Sequence, residues 1–186
     1  TADATTRLYF EPAVDFNGTI SDVISFKAWD RDAFWQQLGI DIDGEAAEDR
    51  SGRVSLSADG RTVAIGADRN DGNGFMAGHV RVYRWEGSAW QQVGIDIDGE
   101  AAGDESGIVS LSADGQTVAI GAPYHDGNGT DSGHVRIYRW TGSTWEQLGA
   151  DLVGEATEDR FGYKVSLSAD GQTVAVSAPY SDGGGS

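Results

Sequence analysis

The chain of 186 residues contains no cysteine, which excludes disulfide bridges, thiolate metal sites and cysteine nucleophiles and leaves the redox compartment open. Lysine is nearly missing, with only Lys27 and Lys164. Against 13 basic residues stand 30 acidic ones, a net charge of −17. A polyanion is repelled by such a surface, so neither nucleic acid nor an anionic membrane is expected as a partner. No stretch approaches the roughly 18 consecutive apolar residues of a spanning helix, so direct membrane insertion is not expected either. The chain begins TADATTRLYF, with neither a charged n-region nor an apolar h-region, which would place any signal peptide upstream. No G-x-S-x-G elbow, H-E-x-x-H helix, Walker loop or dinucleotide fingerprint occurs, and no catalytic residue is assigned.

What is present is glycine, 27 residues against three prolines, together with 39% apolar residues. That balance suits a globular chain with a core and many tight turns rather than a linker. The turns recur. Trp35-Gln36-Gln37-Leu38-Gly39 returns as Trp90-Gln91-Gln92-Val93-Gly94 and as Trp145-Glu146-Gln147-Leu148-Gly149, each step being 55 residues. SLSADGRTVAIGA at 55–67 returns at 110–122 and, one residue late, at 166–178, and GHVRVYRW at 78–85 matches GHVRIYRW at 133–140. A fixed period of this length is the mark of a repeat architecture.

Within a unit the apolar residues alternate with period two: Val109 and Leu111 face one way, Ser110 and Ser112 the other. Asp114-Gly115 marks a hairpin, His134 to Arg139 a third strand and Thr144 to Leu148 a fourth. A four-stranded unit cannot bury both faces alone, and radial repetition solves this. The predicted fold is therefore all-β, a partial β-propeller of four-stranded antiparallel blades of about 55 residues each. A stacked β-solenoid is the alternative. The units run 35–89, 90–144 and 145–186, the last incomplete. Too few to close a ring, they read as a truncated piece whose end blades expose edges and apolar surface, the remaining blades of the parent chain being its first partners.

Phe161-Gly162, Gly121-Ala122-Pro123 and the G-x-V-x-x-Y strand at Gly133 to Tyr138 together resemble the FG-GAP repeats of integrin α-like propellers, over residues 35–186. The first two units depart from it with Ser51-Gly52 and Ser106-Gly107, and Gly66-Ala67-Asp68 departs from Gly-Ala-Pro. The resemblance implies a non-catalytic, extracellular or cell-surface adhesion or ligand-binding module of a larger bacterial surface or secreted protein, not an enzyme, with a protein or glycan ligand. The alternative is a lectin-like module, or an accessory propeller of a carbohydrate-active enzyme. The calcium loop of the family would precede the Gly-Ala-Pro strand, and that place is taken here by the Asp-Gly turns. Residues 1–34 stand outside the repeat; they resemble the last strands of a cadherin-like or immunoglobulin-like sandwich, or form an N-terminal strand pair of the propeller itself.

Calcium is the cofactor the remaining acidic loops suggest. Asp41, Asp43, Glu45 and Asp49 recur as Asp96, Asp98, Glu100 and Asp104, alternate carboxylates around a glycine bend that suit a hard cation. Asp126, Asn128 and Asp131 give a second oxygen-rich spacing. Solvated acidic loops and Asx turns account for the same residues. His79, His125 and His134 have no sequence-adjacent ligand set and read as structural imidazoles. The tryptophans, once per unit at each of two positions, read as packing between blades or as platforms for sugar rings.

Overall fold

The computed structural model describes residues 37–182, and those residues fold into antiparallel β-sheets without a helix. The first sheet holds β1 (Ser51–Leu56), β2 (Thr62–Ala67), β3 (His79–Trp85), β4 (Trp90–Gln92) and β5 (Ile97–Asp98). The second repeats it with β6 (Ile108–Leu111), β7 (Thr117–Ala122), β8 (His134–Trp140), β9 (Trp145–Gln147) and β10 (Leu152–Val153). A third contains β11 (Lys164–Leu167) and β12 (Val174–Ser177). The sandwich-like ending expected over 1–34 lies outside the described residues.

Four strands per unit were expected, and the fourth is in fact split. β4 pairs with the end of β3 and β5 with its beginning, so both lie on the same edge. Between them the Val93 N–H still donates to the Val82 carbonyl at 2.7 Å. The chain then buckles at Gly94, whose φ is +78°, a conformation open to glycine without steric cost. The break throws Asp96 out of the ladder, and it recurs at Gly149.

The Asp-Gly hairpin is also built differently from a two-residue loop. Gly115 N–H closes a turn on the Ser112 carbonyl at 3.0 Å, and only Gly115, not Asp114, has positive φ. This is the longer pattern of a turn followed by a left-handed glycine. Asp114 holds it by accepting from the Ser112 hydroxyl at 2.6 Å and from the Gln116 N–H at 2.9 Å. Those bonds pull the carboxyl below its ordinary range, the serine contact contributing most.

The core lies between sheets. Ala64, Val80, Val82, Val93 and Ile97 of the first sheet and its edge pack against Leu111, Val118, Ile120, Tyr138 and Trp145 of the second. The middle strands β2 and β7 are buried along their whole length. Trp145 is a packing residue: it is 9% exposed and its indole N–H donates to the Val93 carbonyl at 2.7 Å. Trp90 reaches the Leu38 carbonyl in the same way at 2.8 Å. The hairpin tips are joined in series, Ala58 N–H to the Ala113 carbonyl and Ala113 N–H to the Ala169 carbonyl, both at 2.9 Å.

Sheets approach this closely only where side chains are missing. A Cβ on Gly66 would strike the Gly107 carbonyl, and one on Gly121 the Gly162 carbonyl. Gly121→Ala should therefore cost about 3 kcal/mol through overpacking against backbone that cannot rotate away. Gly142→Ala, at an open position with φ +99°, should lose only the backbone term of about 1–2 kcal/mol. Urea titration of both variants checks the order, and an equal or reversed ranking would mean that the sheets slide apart freely.

Candidate functional site

Period-two alternation gives β3 and β8 two chemically distinct rows. On β3, Val80 and Val82 enter the core shared with the second sheet, so His79, Arg81 and Tyr83 face the other way. On β8 the row His134, Arg136, Tyr138 faces the first sheet, with Tyr138 in the shared core and the Arg136 guanidinium 5.5 Å from its ring centroid. Arg136 donates to the Asp98 carbonyl at 2.7 Å, and Arg81 donates to the Asp43 carbonyl at 2.8 Å. Each row thus ends in a histidine beside the acidic loop of its own unit, Glu45 for His79 and Glu100 for His134.

At the second rim His134 Nδ1 lies 3.8 Å from Glu100 Oε2 and 3.9 Å from Asp151 Oδ2. Arg136 approaches the other oxygen of Glu100 at 3.4 Å. His125 stacks on His134 with ring centroids 4.0 Å apart and turns Nε2 to within 4.0 Å of Glu100 Oε2. Its Nδ1 is 3.1 Å from Asp104 Oδ2, a carboxylate only 3% exposed. Because a carboxylate accepts, Nδ1 carries a proton in this contact, and Nε2 faces the cluster. Glu100 and Asp151 are 42% and 31% exposed in their side chains, so the rim opens to solvent.

His134 is 1% exposed and makes no hydrogen bond at either ring nitrogen. Burial pushes its imidazole down to about 4, with the neighbouring His125 and Arg136 adding to the effect. It is neutral at pH 7. The first rim repeats the arrangement: His79 Nδ1 lies 3.7 Å from both Glu45 and Asp96, Arg81 is 3.6 Å from Glu45, and burial again lowers the imidazole. Asn70 there replaces His125, donating to Asp49 at 2.8 Å.

Two groups among the described residues could hold a metal ion, Glu45–His79–Asp96 and Glu100–His125–His134. The histidines, which the sequence offered as structural, are therefore central to both. Of the predicted cation ligands, Glu45, Asp96 and Glu100 belong to these groups. The others are placed differently. Asp41 accepts from the Gln37 side chain at 2.6 Å, the contact that Gln92 makes to Asp96 and Gln147 to Asp151. Asp43 and Asp98 point their carboxylates outward, and their carbonyls serve the arginines. Asp49 and Asp104 are buried turn anchors, accepting from the Ala46 and Ala101 N–H groups at 3.2 and 3.0 Å. Asp126 accepts from the Asp131 N–H at 2.9 Å, and the Asn128 amide donates to the Gly154 and Glu155 carbonyls. Asp131 faces Arg160 at 3.8 Å, whose guanidinium lies between the rings of Tyr124 and Tyr180.

Neither a protein-family profile nor a curated protein matches the chain. Among solved structures, it is similar to that of a candidate 6-phosphogluconolactonase from Bacteroides fragilis, with a TM-score of 0.50 at 13% identity over 73% of this chain and 33% of that one. It is also similar to the periplasmic gluconolactonase of Pseudomonas aeruginosa, with a TM-score of 0.45 at 19% identity over 78% and 38%. The chain spans about a third of the length of these proteins. At such identities the likeness is one of fold.

These neighbours correct the reading taken from motifs. In fold the chain is similar to a candidate 6-phosphogluconolactonase and not to an FG-GAP integrin-like propeller, so the expected kinship and the cell-adhesion role drawn from it are corrected. The physical reason lies in the motif glycines, Gly121 and Gly162, which meet backbone to backbone; the frame reports close packing of sheets and not a lineage. The expectation of a non-catalytic adhesion or lectin-like module, drawn from that resemblance, is corrected with it: the structure that the chain is similar to in fold is named as an enzyme. Fingerprint motifs detect catalytic groups close in sequence, whereas Glu100, His125 and His134 come together across separate elements.

The local roles are separable. His125→Asn should change stability by less than about 1 kcal/mol, since the first unit already folds with Asn70 in that place. Asp104→Ala should cost about 2–3 kcal/mol by leaving the Ala101 N–H and the imidazole without an acceptor. Chemical denaturation measures both, and nitrogen NMR of His125 should show the Nδ1–H tautomer only while Asp104 is present.

Proposed function

We propose that the chain supplies consecutive blades of a β-propeller hydrolase that opens a neutral sugar lactone or a similar cyclic ester at the second rim. The observation that carries this reading is the convergence there of two imidazoles and two carboxylates beside a guanidinium. The likeness in fold to a lactonase supports it.

The blades are the units at 35–89, 90–144 and 145–186, each with its inner strand toward a common axis. Three features support that arrangement: the hairpin tips bonded in series, the sheets packed face to face, and Leu56 at 52% exposure where its counterpart Leu111 is 7% exposed. The last contrast is what a further sheet beside β1 would remove. A place outside the cytoplasm belongs to the same proposal, consistent with an acidic, lysine-poor surface.

In this mechanism a water sits among Glu100, His125 Nε2 and His134 Nδ1. Asp151, held through its other oxygen by the Gln147 amide at 2.6 Å, takes the proton. The hydroxide adds to the lactone carbonyl carbon, the ring C–O bond breaks, and the departing ring oxygen recovers the proton from Asp151. Water and lactone become one hydroxy acid. Glu100, Asp104 and Asp151 crowd the rim with negative charge, so a neutral substrate is preferred over a phosphorylated one.

Hydrolysis of gluconolactone, followed by acid release against the spontaneous rate, tests the reading. Turnover should exceed the background, fall by about 100-fold or more in Glu100→Gln, and be slower with 6-phosphogluconolactone. No turnover above background by the intact chain would sink it.

A further inference from the structure

We infer that Glu100, His125 and His134 form a binding site for one divalent transition-metal ion of the zinc class. The inference deepens the water-activating role given to this rim, yet does not depend on a lactone being the substrate.

The donor set carries the argument. Two imidazole nitrogens and a carboxylate oxygen lie within 4.8 Å of one another. Their separations of 3.8 and 4.0 Å from Glu100 Oε2 are slightly wider than the edge of a tetrahedral site, about 3.4 Å for bonds near 2.1 Å. A small rotation of the exposed Glu100 side chain closes the difference. Two nitrogens and one carboxylate oxygen, with a fourth position left for water, are the ligands of a catalytic zinc site. Calcium asks instead for six to eight oxygens.

Three further observations point the same way. Asp104 grips His125 at Nδ1 and so aims Nε2 into the cluster, the buried carboxylate behind a ligating imidazole that orients metal-bound histidines. His134 is buried with Nδ1 directed at two carboxylates and no hydrogen bond at either nitrogen. A buried polar atom left in that state is costly, and coordination relieves it. The charges also fail to cancel: of the three carboxylates that face the imidazoles, Glu100, Asp104 and Asp151, only Glu100 has a guanidinium partner among the described residues, Arg136. A doubly charged cation restores the balance.

The first rim is the internal comparison. Glu45, His79 and Asp96 repeat the geometry with one imidazole, and Asn70 occupies the place of His125 on the same kind of buried aspartate. A transition metal should therefore prefer the second rim.

The experiment uses the whole chain with Co²⁺ and Zn²⁺ alone, by equilibrium dialysis with metal analysis and by the visible absorption of bound Co²⁺. One ion per chain should be retained against a large excess of Ca²⁺, with the intense absorption of a tetrahedral site. His125→Asn should weaken binding by about 100-fold, and Asp104→Ala by about 10-fold or more. Asn70→His should add a second site. Retention unchanged in His125→Asn, displacement by Ca²⁺, no retained ion, or a folded Asn70→His variant that still binds one ion would each overturn the assignment. Metal binding without lactone turnover would leave this site standing and remove only the hydrolase; turnover by a chain that retains no ion would do the reverse.

Discussion

The closest contact between neighbouring sheets is backbone on backbone, at Gly66 with Gly107 and at Gly121 with Gly162. Everything else in the arrangement follows from that distance. Where β2 meets the next unit the space is filled by glycine and alanine, Ala64 and Ala119 being fully buried. Toward the outer edge it is filled by Tyr138 and Trp145. Small side chains thus line one part of the contact and large aromatic ones the other. Trp145 also fixes register, because its indole N–H bonds a carbonyl of the preceding outer strand. A sheet sliding along its neighbour would lose that bond and force the glycines into side chains.

The same contact builds the rim. With the sheets held this close, the polar row of β8 finds its partners in the loop that follows β5 on the edge of the first sheet. Arg136 does so through the Asp98 carbonyl and Glu100, and its guanidinium rests on Tyr138. His134, one turn of the pleat further on, is carried to the mouth of the gap, where Glu100 and Asp151 stand. The buckle at Gly149 is what frees Asp151 to turn inward, as Gly94 frees Asp96. Packing, turn chemistry and the acidic cluster are thus one structure.

Much of this was legible in the sequence. The repeat, the alternation and the Asp-Gly turns follow from short-range rules, and the structure follows them with small departures: a split outer strand and a longer hairpin loop. The acidic phrase D-I-D-G-E-A-A-x-D was visible, but not the division of labour within it. Asp104 looks like a ligand in sequence and is an anchor in space, because it lies next to the turn whose N–H groups it caps. The histidines read as structural imidazoles in sequence for the opposite reason. His134 joins Glu100 only after β8 has folded back beside β10 and two sheets have packed. Spacing along the chain carries no signature of that, although the common period of the Glu, His and Asp positions in successive units offered a trace: Glu45, His79 and Asp96 shifted by one repeat are Glu100, His134 and Asp151.

A repeat makes one rim per unit, and copies of a rim need not share a task. What distinguishes the second from the first is a single side chain on a shared mount. Asn70 and His125 both donate to a buried aspartate, at 2.8 and 3.1 Å, so the turn is equally well tied in either unit. An amide spends its polarity on that bond and on the adjacent Gly72 N–H, to which Asn70 Oδ1 is the acceptor at 2.8 Å. An imidazole has a second nitrogen on the far side of the ring, and the mount aims it at Glu100. The scaffold constraint is met by the near atom while the far atom is left for chemistry. Stability and function at this position are therefore set by different nitrogens of one residue, and a change from Asn to His can add a donor to a rim without disturbing the packing beneath it.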